Sequence, residues 1–152
     1  MGYYFADYLH DQQVDGKGPK GQRTKTVKLA VKSIEQFFKG QHPPDFIAVC
    51  GCSGLSVGSI IAYELGIPCV IVRKEWDAKN SHCGGEYTTP NFCVEPCNRY
   101  VIVDDFIASG NTVQYIKDKL KQCECVGFYS YTNNSAQDTG CREQRLPYIE
   151  QI

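Results

Sequence analysis

Four short apolar runs, joined by stretches with helical spacing, constrain this chain more than any other feature. The runs are FIAVC (Phe46 to Cys50), CVIVR (Cys69 to Arg73), YVIVDD (Tyr100 to Asp105) and CVGFYSY (Cys125 to Tyr131). Each is of strand length and nearly continuous in apolar residues, the pattern of a strand covered on both faces. Between the first two, residues from about Ser56 to Leu65 read as a helix closed by Gly66 and Pro68. Between the last two, Thr112 to Gln122 reads the same way. Ahead of them, Val27, Ala30, Val31, Ile34, Phe37 and Phe38 fall on one helical face, and Gly40 with Pro43-Pro44 stops it. Strand alternating with helix predicts an α/β fold: a Rossmann-like parallel sheet flanked by helices. Ligands in such sheets bind outside the carboxyl ends of the strands. The glycine-rich CGCSGLSVG and the pair Asp104-Asp105 both follow strand ends.

Size and charge narrow the function class. A chain of 152 residues predicts one domain over 1–152. Sixteen Lys and Arg against 17 Asp and Glu leave a net charge of −1, which argues against a general nucleic-acid or anionic-membrane binder. MGYYFADYLHDQQ has neither a basic start nor an apolar run, and no stretch approaches the ~20 apolar residues of a membrane span. The nine cysteines are then expected as reduced thiols in a cytoplasmic protein, several acting as small hydrophobes.

The segment VIVDDFIASGNTV, Val101 to Val113, carries the chemistry. An apolar strand delivers Asp104 and Asp105 to its end. The turn Ala108-Ser109-Gly110-Asn111-Thr112 then opens a helix, whose first N–H groups and positive dipole end suit a phosphate. Ser109 and Thr112 add hydroxyls, and Gly110 permits a close backbone approach. Two carboxylates beside such a cradle suit sugar hydroxyls or a hydrated Mg²⁺.

Strand, paired acids, two residues and a small-residue turn ending in Thr resemble the phosphoribosyl pyrophosphate (PRPP) signature of the type I phosphoribosyltransferases. Ser109-Gly110 is a mild variant of the family's Thr-Gly or Ala-Gly. Cys50 to Glu75 resembles the pyrophosphate loop and following unit of the adenine and orotate members, with Gly51, Cys52, Ser53 and Gly54 at the loop. The family places basic residues there, and this chain has Cys52-Ser53; Arg73 and Lys74 are the substitutes expected. Arg73 to Tyr87, with Lys79, His82, Gly84 and Gly85, is similar to the orotate-type closing loop.

The resemblance covers roughly residues 45–131. It implies Mg²⁺-dependent transfer of phosphoribose from PRPP to a nitrogenous base in nucleotide synthesis or salvage. Orotate stands first and adenine or another purine second; a non-catalytic PRPP-binding regulator is the alternative. Asp104, Asp105, Lys79 and His82 are the implied catalytic residues, Ala108 to Thr112 the 5-phosphate site, and Gly51 to Gly54 with Arg73 and Lys74 the pyrophosphate site. Mg²⁺ comes with PRPP, near Asp104 and Asp105. The family also implies a homodimer and a small hood over the base, built from the N-terminal and C-terminal parts. Phe106 and Tyr131 are candidates to stack on that base.

Two other patterns carry less. Gly16 to Gly21 spells GxGxxG, but no strand precedes it and Pro19 sits inside it, so a basic loop is expected. Cys93 and Cys97 with His82 and Cys83 lack the tight paired spacing of a structural zinc site.

Overall fold

The computed structural model describes residues 25–74, 99–105, 109–131 and 147–152. The elements run α1 (Lys25–Phe37), β1 (Phe46–Cys50), α2 (Gly51–Leu65), β2 (Cys69–Val72), β3 (Arg99–Asp104), α3 (Asn111–Lys119) and β4 (Glu124–Ser130). The four strands form one sheet in the order β2-β1-β3-β4, and every pairing is parallel.

Strand alternation sorts the core. Ile47 and Val49 of β1, with Val101 and Val103 of β3, pack beneath α1 and α2. Phe46, Ala48 and Cys50, with Tyr100 and Ile102, pack against Val113, Ile116 and Leu120 on the α3 side. All five residues of β1 are buried. That accounts for its unbroken apolar run: the central strand has no solvent face on which a polar residue gains anything. In α1 the predicted stripe is the buried one, at Val27, Ala30, Ile34 and Phe38. Gly40, at φ 80°, lies just beyond its end.

The helix after β1 departs from expectation. It begins at Gly51, not near Ser56, so the anticipated glycine-rich loop is absent and the strand, ending at Cys50, runs straight into the helix. Gly51 takes φ 72°, where an L side chain is strained, and turns the chain from strand straight into helix. Gly54 and Gly58 are helical, and both face the sheet. A Cβ on Gly58 would sit 2.3 Å from Val49 Cγ1, and one on Gly54 would sit 3.1 Å from the Val103 carbonyl oxygen. These two glycines let α2 lie close on β1 and β3. Gly66, left-handed at φ 68°, ends α2 where expected.

Two further departures are small. α3 stops at Lys119, short of Gln122, and a register shift between Tyr100 and Val101 marks a bulge in the β3–β4 pairing. The segment 147–152 carries no strand or helix signal in its sequence, yet it docks on the sheet. The Phe128 N–H donates to the Pro147 carbonyl at 3.0 Å, and the Ile149 N–H donates to the Phe128 carbonyl at 2.8 Å. This forms a parallel bridge on the outer edge of β4 and buries Ile149 completely. The described parts of both ends, α1 and 147–152, thus belong to the core. Any hood built from the ends falls to 1–24 and 132–146, outside the described residues. Among the described residues no helix is long and apolar enough to cross a membrane.

Candidate active site

The chain reverses its direction of travel between β1 and β3. From β1 it proceeds through α2 to β2 on one side, and from β3 through α3 to β4 on the other. The carboxyl ends of β1 and β3 therefore flank a topological switch point, where a crevice opens between diverging connections. Gly51, the first residue of α2, and the pair Asp104-Asp105 stand at those two ends.

Asp104 is the last residue of β3 and only 7% exposed. Its Oδ1 accepts two hydrogen bonds: from the Ser53 hydroxyl at 3.2 Å and from the Asp105 backbone N–H at 2.9 Å. Burial, then the neighbouring Asp105 charge, pushes its carboxyl up to about 7, against the pull of those donors toward the charged form. Asp105, half-buried, lies just past the strand. Its carbonyl accepts from the buried Ser130 hydroxyl at 2.6 Å, and the Gln151 side-chain amide donates to the Ser130 carbonyl at 3.1 Å. The C-terminal segment thus braces the acid pair through the tip of β4.

Helix α3 starts beside this pair. Gly110 is its N-cap, left-handed at φ 79°, and no side chain caps the end. The Asn111 N–H reaches only a long 3.4 Å contact with the Ser109 hydroxyl. Ser109 and Asn111 are exposed, Thr112 is half-buried, and all belong to this opening turn. The start of α2 likewise has no side-chain cap. Two helix N-termini thus open at the same edge of the sheet, each keeping first-turn donors for an anion.

Among the predicted pyrophosphate residues, Gly51, Cys52, Ser53 and Gly54 form the first turn of α2. Cys52 is exposed, whereas Gly54 is buried against Val103 and Val49, so its side-chain position is a packing feature. The described peptide bonds are all trans, and the unusual backbone in this turn is the positive φ of Gly51. Arg73 and Lys74 follow β2 at the same edge of the sheet. The Tyr115 hydroxyl of α3 donates to the Arg73 carbonyl at 2.9 Å, tying that corner to the helix that starts beside the acid pair. Lys79, His82, Phe106 and Ala108 lie outside the described residues, as do the GxGxxG stretch and the Cys93–Cys97 group.

Tyr131 is not a base-stacking ring. It is 4% exposed within the core beneath α1 and α2, and its hydroxyl donates to the Ser53 carbonyl at 3.0 Å. The reason is position: the strand tip delivers it inward, not to the mouth. Ser130 and Tyr115 are the polar contacts that reading for acids and glycines passes over. Ser130 is signalled only as a polar residue near the end of an otherwise apolar run, and Tyr115, inside α3, has no such signal.

The family model for the phosphoribosyl transferase domain matches residues 23–138. The chain belongs to this family. Among relatives, this phosphoribosyltransferase is 30% identical over 124 residues to the human adenine phosphoribosyltransferase, covering 71% of this chain and 69% of that one. Its fold is that of the Saccharomyces cerevisiae adenine phosphoribosyltransferase, solved with adenine bound. That match has a TM-score of 0.60 at 19% identity, over 83% of this chain and 76% of that one. An orotate phosphoribosyltransferase from Aeropyrum pernix superposes with a TM-score of 0.58 at 17% identity, over 82% of this chain and 67% of that one.

The donor set suits the Mg²⁺ that the family implies. Mg²⁺ keeps most of its waters and is held by one or two carboxylates together with substrate phosphates. Asp104 and Asp105 are two such carboxylates. With Oδ1 of Asp104 already accepting two donors, they fit an ion carried in with a phosphate better than a cage of protein ligands. Among the described residues no group of three or more His, Cys, Asp or Glu side chains is placed to hold a metal alone.

Proposed function

We propose that the chain, as one domain over 1–152, transfers phosphoribose from PRPP to a purine base, adenine first, and releases pyrophosphate. The observation that carries this is the acid pair at the end of β3, buried Asp104 and half-buried Asp105, with the uncapped, glycine-started helix α3 next in the chain. The loop motif Arg73 to Tyr87 puts orotate first; the adenine-specific names of the relatives move the weight to a purine. Free thiols at Cys52, Cys69 and Cys125 suit the cytosol as the compartment, and a homodimer is the assembly proposed from the family.

In this reading the 5-phosphate is bound by the segment Ala108 to Thr112, of which Ser109 and Gly110 lead into α3 and Asn111 and Thr112 begin it, with Gly110 clearing the approach. Asp104 and Asp105 hold the ribose hydroxyls and stabilise positive charge as the sugar carbon becomes oxocarbenium-like. The first turn of α2, Gly51 to Gly54, with Arg73 and Lys74 at the neighbouring strand end, takes the pyrophosphate. Lys79 and His82, outside the described residues, are the further side chains that the family resemblance assigns to the leaving pyrophosphate. A ring nitrogen of the base bonds to the sugar carbon as the bond to pyrophosphate breaks. The bonding pair leaves with pyrophosphate, and the proton of the base nitrogen passes to water. Asp104 and Asp105 would hold a Mg²⁺ ion that arrives with PRPP, and that ion would supply further positive charge to the leaving group. The protein's share is therefore placement and electrostatics.

The test is pyrophosphate release from PRPP and Mg²⁺ with adenine, hypoxanthine, xanthine and orotate, each product identified. Turnover with a purine supports the reading. Turnover with orotate alone replaces the base, and PRPP binding without turnover on any base replaces enzyme with regulator. Asp104→Asn combined with Asp105→Asn is expected to cut turnover at least a hundredfold, or about 3 kcal/mol of transition-state stabilisation. Wild-type activity in that variant removes the acid pair from the site.

A further inference from the structure

Three hydrogen bonds at the switch point close into a ring. The Tyr131 backbone N–H donates to the Asp104 carbonyl at 3.2 Å. The Ser53 hydroxyl donates to the Asp104 carboxylate at 3.2 Å, and the Tyr131 hydroxyl donates to the Ser53 carbonyl at 3.0 Å. The ring joins three elements that no covalent path connects closely: the start of α2, the end of β3 and the residue after β4. Tyr131 is the member that grips both of the others, one through its backbone and one through its side chain. Its ring is packed in the core, so the hydroxyl is delivered from a rigid base.

We propose that Tyr131 is a positioning residue for phosphoribosyl transfer, fixing the spacing between the pyrophosphate turn and the acid pair. This rests on the site reading above. A ligand that spans both places, as PRPP does, needs the donors of the α2 first turn and the Asp104-Asp105 carboxylates at one set separation. Reaction at the sugar carbon between them depends on that placement to a fraction of an ångström. A ligand that touches only the phosphate turn and the acid pair does not sense the spacing. The Tyr131 hydroxyl is suited to this because it bonds the backbone of the turn, and a backbone carbonyl moves with the neighbouring N–H groups that would face the pyrophosphate.

The experiment is calorimetric titration of wild type, Tyr131→Phe, Ser53→Ala and the double variant. The ligands are PRPP with Mg²⁺ and, separately, ribose 5-phosphate. Tyr131→Phe keeps the ring in the core and removes one buried hydrogen bond. It is expected to weaken PRPP roughly three- to tenfold while ribose 5-phosphate stays within about twofold. Ser53→Ala breaks the same ring at another bond, so the double variant is expected to lose no more PRPP affinity than the weaker-binding single variant. In steady-state kinetics the same loss is expected as a KM for PRPP that rises more than kcat falls. Equal weakening of both ligands, unchanged PRPP affinity in Tyr131→Phe, or full additivity in the double variant overturns the positioning role. Failure of the wild type to bind PRPP overturns the site reading itself, a different result from an unaffected Tyr131→Phe.

Discussion

The backbone N–H of Asp105 donates to the side chain of Asp104, the residue before it, at 2.9 Å. The two acids are thus bonded to one another, yet their charges repel. Burial and that repulsion push Asp104 up to about 7 from 3.8. Between about pH 4 and 7 the folded chain then holds a proton that the unfolded chain has lost. The stability from this group is full below pH 4 and disappears as pH rises through 7. Replacing Asp104 by Asn keeps the shape and removes the charge. The variant is expected to match wild type near pH 4 and to exceed it at pH 8 by up to about 4 kcal/mol. Urea midpoints at the two pH values, without ligand, measure this. A wild-type-to-variant difference that does not change with pH refutes it.

Gly58→Ala is expected to cost roughly 1–3 kcal/mol, because the added methyl overlaps Val49 and must push α2 off the sheet. Gly51→Ala meets no atom within 4 Å and is penalised only for its φ of 72°, about 1 kcal/mol. Thermal unfolding separates the two. A Gly58→Ala variant as stable as wild type would mean that α2 does not lie this close to β1.

Cys52 is exposed on the first turn of α2, whereas Cys50 is buried. Burial pushes Cys69 and Cys125 up to about 11, leaving them scarcely ionised near neutral pH. Of these four thiols, Cys52 is expected to react first with iodoacetamide at pH 7.5, and PRPP with Mg²⁺ is expected to slow it severalfold. Peptide mass spectrometry reads both rates. Alkylation of Cys52 at the same rate with and without PRPP would place the pyrophosphate elsewhere.

Ile149→Ala is expected to destabilise the fold by roughly 2–5 kcal/mol, since Ile149 is fully buried and a truncated side chain leaves a cavity over Gly127. Denaturant unfolding gives the value. A loss below about 0.5 kcal/mol would show that 147–152 does not dock along β4.

The sheet is legible in the sequence because β1, β3 and most of β4 are covered on both faces, and burial of that kind leaves an uninterrupted apolar record. The acid pair and the α3 turn are legible for a related reason: Asp104 interrupts the record where the strand ends. The start of α2 is not. Gly54 and Gly58 are helical for the sake of what lies beneath them, and a glycine in a sequence does not say whether it permits a turn or a close contact. Ile149 is hidden because a single bridged residue leaves no periodicity. Tyr131 misleads because aromatic character alone does not distinguish a ring that stacks on a ligand from one whose hydroxyl is the working group.

The abrupt passage from β1 into α2 has a consequence for how this gene can be altered. A helix advances about 100° per residue. With no residue between strand and helix there is no slack, so one codon inserted after Gly51 would turn the whole of α2 on its axis. Gly54 and Gly58 would swing off the sheet, and bulkier neighbours would take their place above Val49. Deletions would fail in the opposite sense. Length variation is therefore expected to be forbidden at this junction, and a library of insertions and deletions scanned along the chain should show residues 50–52 as a gap.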